Sequence, residues 1–221
     1  MIYISRTMAT RKTTVLLDFG GVLGLPQDPV RIASMASICG LTREAFLSAY
    51  QQDRLELDRG ALSPDNYWAR LMRMGGVTPT PDLIVRIERE DALGWTRINQ
   101  PMVDWAAELR AAGFRTAILS NMPPDKVTFL RTTEGFSWID DFDVVCFSCD
   151  YRMVKPEPEF YRACLSKLSV TPSECVFLDD SEINAEAARS LGIDAVLYRS
   201  AREAGTEIRR TWGLPVASLM G

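Results

Sequence analysis

Four places in the sequence set polar, chemically useful residues directly after apolar runs. Asp18 follows TVLL in the stretch VLLDFGGVLG, with Gly20 and Gly21 bending the chain beside it. Ser120 and Asn121 follow TAIL, Lys155 comes shortly after DVVCF, and Asp179 and Asp180 follow or end CVFLDD. The chain has 221 residues and no histidine. Ser-His-Asp and Cys-His catalysis and every histidine-based metal site are therefore excluded. Any chemistry must run on carboxylates, lysine, serine or a carboxylate-held metal. Singly, each position has a plain structural explanation: a strand end, a turn, a solvated Lys-Pro loop, a helix cap. Together they bring three acids, one lysine and one hydroxyl into register with four strand ends.

The elements that must position these residues are legible. TVLL, TAIL, DVVCF, CVFL and AVLY are continuous apolar runs, not alternating ones, as expected of parallel strands covered on both faces. Helical patterns lie between them, in PMVDWAAELRAAG, EPEFYRACLSKL and EINAEAARSLG, the first and last stopping at a glycine. This alternation predicts an α/β fold with a doubly wound, Rossmann-like parallel sheet. Open α/β sheets bind ligands outside the carboxyl ends of their strands, where the four polar positions fall.

The spacing is uneven. The first strand ends at Asp18 and the second begins near Arg115, far beyond a normal crossover. Asp28-Pro29, Ser63-Pro64 and Thr80-Pro81 each place a capping residue before a proline suited to a first helical turn. Gly40 and Gly75-Gly76 mark stops. Phe46, Tyr50, Tyr67, Trp68, Leu71, Ile84 and Ile87 supply inner faces. Residues 27–98 thus read as an inserted four-helix cap, and residues 10–26 with 99–221 as the α/β core. The cap leaves near Gly24-Pro26 and returns near Arg97-Pro101, which are the expected hinges of a lid over the crevice.

On these residues the chain resembles the haloacid dehalogenase superfamily, whose members are mostly phosphatases. LLDFGGVL resembles the family's first motif, AILSNMP its second, VKPEPEFY its third and FLDDSEINAEAARSLGI its fourth, while LELDRGALSPDNYWARL resembles the helix-turn-helix of the helical-capped branch. That branch holds sugar-phosphate phosphatases and the amino-terminal phosphatase domain of soluble epoxide hydrolase. The resemblance implies a phosphatase of a small phosphorylated metabolite, such as a sugar phosphate, working through an aspartyl-phosphate. Asp18 is then the nucleophile, and Mg2+ is held by Asp18, Asp180, the Gly20 carbonyl and Asp179, the last directly or through water. Ser120, Lys155, Gly21 and the amides near Asn121 hold the phosphoryl group, and Asn184 orients the acids.

One position departs from the family pattern. Gly20 stands where most family phosphatases carry a second aspartate as general acid and base, a group worth roughly 10²–10⁴ in rate. Asp53, Glu56 or Asp58 of the cap, or a bound water, are the candidates to replace it. Two other readings accommodate the glycine. A 2-haloacid dehalogenase displaces halide without a metal, which leaves the paired Asp179 and Asp180 unexplained. A catalytically weak fold would be kept for binding a ligand or partner.

Composition narrows the partners. A net charge of -4 gives no electrostatic reason to expect nucleic acid or an anionic membrane. No apolar run approaches the ~20 residues of a membrane span, and MIYISRTMATRKTT lacks the apolar core of a secretory signal. Met8 is an alternative start, leaving residues 1–7 as a loose tail. Five cysteines, an odd number, fit a reducing cytoplasm better than a disulfide framework. Cys146 and Cys149 form a C-x-x-C with no second pair or histidine, so a structural role is expected of them. The sequence is silent on oligomeric state.

Overall fold

A computed structural model describes residues 11–221. Residue 10, Met8 and the tail read over residues 1–7 lie outside the described residues. The apolar runs form five parallel strands: β1 (Thr14–Leu17), β2 (Arg115–Ser120), β3 (Val144–Phe147), β4 (Cys175–Asp179) and β5 (Asp194–Leu197). Their order is β3-β2-β1-β4-β5, with β1 in the centre. Leu17 pairs with Ile118 on one side and Leu178 on the other. That register sets Asp18 level with Asp179 and one residue short of the level of Ser120. The doubly wound α/β fold expected from the alternation is the fold observed.

Between β1 and β2 the chain makes α1 (Pro29–Ile38), α2 (Arg43–Gln51), α3 (Arg54–Asp58), α4 (Pro64–Met74) and α5 (Pro81–Leu93). The insertion therefore has five helices where the sequence pattern suggested four. Asp53, left-handed at φ 58°, breaks the chain before α3, whose five residues are too few to show a period. The three proline-led helices start as their sequence directs. The side chains of Asp28, Ser63 and Thr80 accept from the amides of Val30, Asn66 and Leu83. Phe46, Tyr50, Tyr67, Trp68, Leu71, Ile84 and Ile87 are buried in one cluster, separate from the clusters on the sheet. Fully burying such a side chain contributes roughly 1.5–3 kcal/mol, so these helices have their own reason to stay together. The two crossings lie side by side: Leu25 donates to the Arg97 carbonyl at 2.7 Å, and Asn99 to the Leu23 carbonyl at 2.9 Å.

The remaining helices are α6 (Gln100–Ala111), α7 (Pro124–Thr132), α8 (Ser148–Tyr151), α9 (Pro158–Leu168), α10 (Glu182–Ser190), α11 (Ala201–Trp212) and α12 (Ala217–Met220). Val15 and Leu17 of β1 pack with Trp105 of α6 and Ile208 of α11, whereas Leu16 packs with Phe160 of α9 and Ala188 of α10. Alternate residues of one strand thus enter opposite cores, which is why the strands read as continuous apolar runs. Among the described residues no helix is long and apolar enough to cross a membrane. Cys146 lies buried in β3 with its thiol 3.3 Å from the Tyr151 hydroxyl, and all five cysteines are unpaired.

Candidate active site

Asp18 leaves β1 in extended conformation, and the chain then turns tightly through residues 19–23. The Phe19 amide donates to Asp18 Oδ1 at 2.7 Å, and Lys155 Nζ contacts the same oxygen at 2.8 Å. Oδ2 is the oxygen that neither donor holds. Lys155 is 1% exposed, and its Nζ also lies 2.6 Å from Asp179 Oδ2. Asp179 is fully buried. It accepts from the Ser181 amide at 2.9 Å and from Asn184 Nδ2 at 3.1 Å. Asn184 thus sits where the sequence put it, on an acid at the end of β4. Asp180, the next residue, keeps an exposed surface while its carboxylate lies against Gly21 of the first turn.

Gly21 explains itself by contact. Its φ is +73°, and a Cβ there would lie 2.2 Å from Asp180 Oδ2. Only a residue without a side chain lets the Asp180 carboxylate approach the first turn. Asn121, read from sequence as a phosphate-side residue, spends its side chain elsewhere. Its Oδ1 accepts from the Lys155 amide at 2.7 Å and its Nδ2 donates to the Lys155 carbonyl at 2.9 Å. The side chain positions the lysine, and any contact to a phosphoryl group falls to the main chain. Ser120 is buried at the end of β2 and shares a cleft with Gly20 and Asn121.

The electrostatics follow from burial and charge count. Burial pushes the Asp18 carboxyl up to about 7; Lys155 opposes the rise and Asp179 adds to it. Burial alone would lower Lys155, but Asp179 and Asp18 outweigh it and hold the ammonium above its usual range. Lost hydration also raises Asp180, and the charge of Asp179 adds to that. One oxygen from each of Asp18, Asp179 and Asp180 lies within 4.8 Å of the other two, the only such group of three among the described residues. Three carboxylates face one buried lysine, with Arg199 beside Asp180, so the site is net negative when they ionise. A hard divalent cation fits that negative charge and that all-oxygen donor set.

The three cap acids proposed as proton donors are each engaged by an arginine. Asp53 pairs with Arg70 at 2.8 Å, Glu56 with Arg59 at 3.1 Å and Asp58 with Arg54 at 2.9 Å. None of them lines the cleft beside Gly20. The sequence reading missed what does. Trp95 closes over Gly20, and a Cβ on Gly20 would lie 3.0 Å from its Cζ3. Lys126 of α7 is buried with its Nζ 2.9 Å from Asp91 Oδ2 of α5 and 4.9 Å from the centre of the Trp95 ring. Asp91 is fully buried and also accepts from Tyr50 Oη and Gln27 Nε2, each at 2.7 Å. A signal for Asp91 was present: it follows Ile84 and Ile87 on the same helical face, an acid on an apolar stripe.

A family model described as haloacid dehalogenase-like hydrolase matches residues 13–192, and the chain belongs to that family. It is 27% identical to bifunctional epoxide hydrolase 2 of Rattus norvegicus over 89% of this chain and 38% of that protein, so it spans well under half of that relative. It is 25% identical to the sesquiterpene phosphatase astK of Aspergillus oryzae over 93% of this chain and the whole of that protein. A haloacid dehalogenase family enzyme from Bacteroides thetaiotaomicron, solved with magnesium and inorganic phosphate, shares the fold at a TM-score of 0.70. There the identity is 24%, over 86% of this chain and 95% of that one.

Proposed function

We propose that this hydrolase is a magnesium-dependent phosphatase of a small phosphate monoester, acting through an aspartyl-phosphate on Asp18. One observation carries the reading. Asp18, Asp179 and Asp180 converge at the ends of β1 and β4 around a single buried lysine, with negative charge left for a cation to answer. The phosphatase named among the relatives and the magnesium and phosphate of the structural neighbour support it.

Asp18, Asp180, the main chain at Gly20 and Asp179, directly or through water, would hold Mg2+, which when bound supplies positive charge against the phosphoryl oxygens. The chain's own residues do the rest. The Phe19 amide and Lys155 fix Oδ1 of Asp18, so Oδ2 attacks phosphorus as the bond to the alcohol oxygen breaks. Asn121 anchors the backbone of Lys155, and Asn184 with the Ser181 amide anchors Asp179, so the charged groups are set before substrate arrives. Ser120 holds a phosphoryl oxygen. With Gly20 beside the site and the cap acids on arginines, water protonates the leaving oxygen. A second water then hydrolyses the aspartyl-phosphate.

Residues 27–98 act as the lid, hinged where the crossings meet near Gly24 and Ile98. The test is phosphate release from small esters with Mg2+ and with EDTA, halide release from 2-chloropropionate being followed in parallel. Release that EDTA abolishes supports the proposal. Halide release favours the dehalogenase reading, and no turnover favours a binding fold.

A further inference from the structure

The cleft that runs from Gly20, Ser120 and Asn121 is where the alcohol part of a bound ester must lie, because it continues from the phosphoryl side of the site. Its other walls are mostly apolar: Trp95 and Ala92 from the cap side, and Met122, Phe129 and Leu130 from the core. Two cations reach it, Arg54 and Lys126, but both are answered. Arg54 Nε binds Asp58 at 2.9 Å and its Nη1 binds Tyr50 Oη at 2.6 Å, while Lys126 binds Asp91 at 2.9 Å. No carboxylate and no carboxamide other than Asn121 lines the cleft, and Asn121 is committed to the Lys155 backbone. Beyond the Ser120 hydroxyl and the Trp95 indole N–H, which has no partner within the protein, a polyol would find little there to replace its lost water.

Trp95 is the organising group. Its benzo edge lies over Gly20, and Lys126 sits 4.9 Å from its ring centre. That cation is attracted to the face of the ring, which ties Trp95 to α7. We infer that Trp95 is a specificity-determining residue: it is the platform on which the alcohol part of the ester lies, and it selects phosphate monoesters of apolar alcohols, flat ones foremost, over sugar phosphates. The inference rests on the phosphatase reading and goes beyond it in naming the substrate class. Over Gly20, where the family resemblance implies an acid, this chain places the Trp95 ring.

The experiment compares two primary alkyl esters of similar leaving-group basicity, 2-phenylethyl phosphate and glucose 6-phosphate, by kcat/KM with Mg2+. Wild type should favour the phenylethyl ester about tenfold or more, the scale on which apolar pockets discriminate. Trp95→Ala should raise KM for the phenylethyl ester more than for glucose 6-phosphate and so erase most of that preference, and Trp95→Phe should retain it. Phe129→Asn, on the opposite wall, should also lower the preference and serves if Trp95→Ala does not fold. A wild-type preference for glucose 6-phosphate would overturn the inference, as would equal losses on both esters in Trp95→Ala. Acetyl phosphate, activated and small, separates the two levels. If it and glucose 6-phosphate are hydrolysed and the phenylethyl ester is not, only the substrate class is wrong; if no ester releases phosphate, the phosphatase reading falls and takes the inference with it.

Discussion

Gly21→Ala tests the site through a residue that has no functional group. The added Cβ would lie 2.2 Å from Asp180 Oδ2, 2.6 Å from its Cγ and 3.2 Å from its Cβ. An ordinary contact between non-bonded heavy atoms is about 3.5–4.0 Å, so the carboxylate must retreat by roughly 1 Å or more. Magnesium holds its ligands close to 2.0–2.1 Å and tolerates little departure. A ligand moved that far leaves the shell, and the affinity should fall by about 10–100-fold, the range seen when a ligand's support is removed. Alanine at φ +73° also costs about 1–2 kcal/mol of folding stability. Gly213→Ala is the control for that second effect, since its φ is +66° and its Cβ would meet nothing within 4 Å. Calorimetric titration of Mg2+ into wild type, Gly21→Ala and Gly213→Ala separates strain from ligation. Both variants should lose stability and only Gly21→Ala should lose affinity. Wild-type affinity in Gly21→Ala would refute the placement of Asp180 in the ligand set.

Two further predictions concern stability. Lys126→Met leaves Asp91 fully buried without its main cation. Breaking a buried pair costs about 3–5 kcal/mol, and the lower end is expected because Tyr50, Gln27 and, at 3.8 Å, Arg54 still face Asp91. Adding Asp91→Asn should restore more than half of the loss in urea unfolding; a cost below about 1 kcal/mol for Lys126→Met would show that the pair does not brace cap against core. For Glu88, partial burial and then the charge of Asp125 push the carboxyl up to about 7 from its ordinary 4.5. The folded state then holds its proton more tightly, so stability declines as pH rises from about 4.5 to about 7. The full shift converts to about 3 kcal/mol at 1.36 kcal/mol per unit, but screening at this half-exposed position reduces it to about 1 kcal/mol. Glu88→Gln should therefore melt a few degrees above wild type at pH 8 and alongside it at pH 4, and equal melting temperatures at pH 8 would show that Glu88 ionises without penalty.

What the sequence displayed was local. The strands could be read because each is covered on both faces and is apolar throughout, and their ends located Asp18, Ser120 and Asp179 without any structure. The helix starts at Asp28, Ser63 and Thr80 were legible because a cap before proline has one local meaning. Contacts across long stretches of chain were not. Nothing near Gly20 in sequence announces Trp95, 75 positions away, and nothing in the Asn121 stretch shows that its carboxamide clamps Lys155. Asp53, Glu56 and Asp58 looked like available acids because their arginine partners are set by the fold of the cap. The short α8 escaped because four residues carry no periodicity, and α3 was legible only through the resemblance of LELDRGALSPDNYWARL to a helix-turn-helix.

The central claim is covalent catalysis by Asp18, and the most direct measurement is rapid acid quench of enzyme mixed with a phosphate ester and Mg2+, followed by peptide mass analysis. An added phosphoryl group is expected on the peptide containing Asp18, appearing before free phosphate and absent from Asp18→Asn, whose turnover falls to background. Steady phosphate release from Asp18→Asn, or a phosphoryl group trapped on another residue, would contradict it.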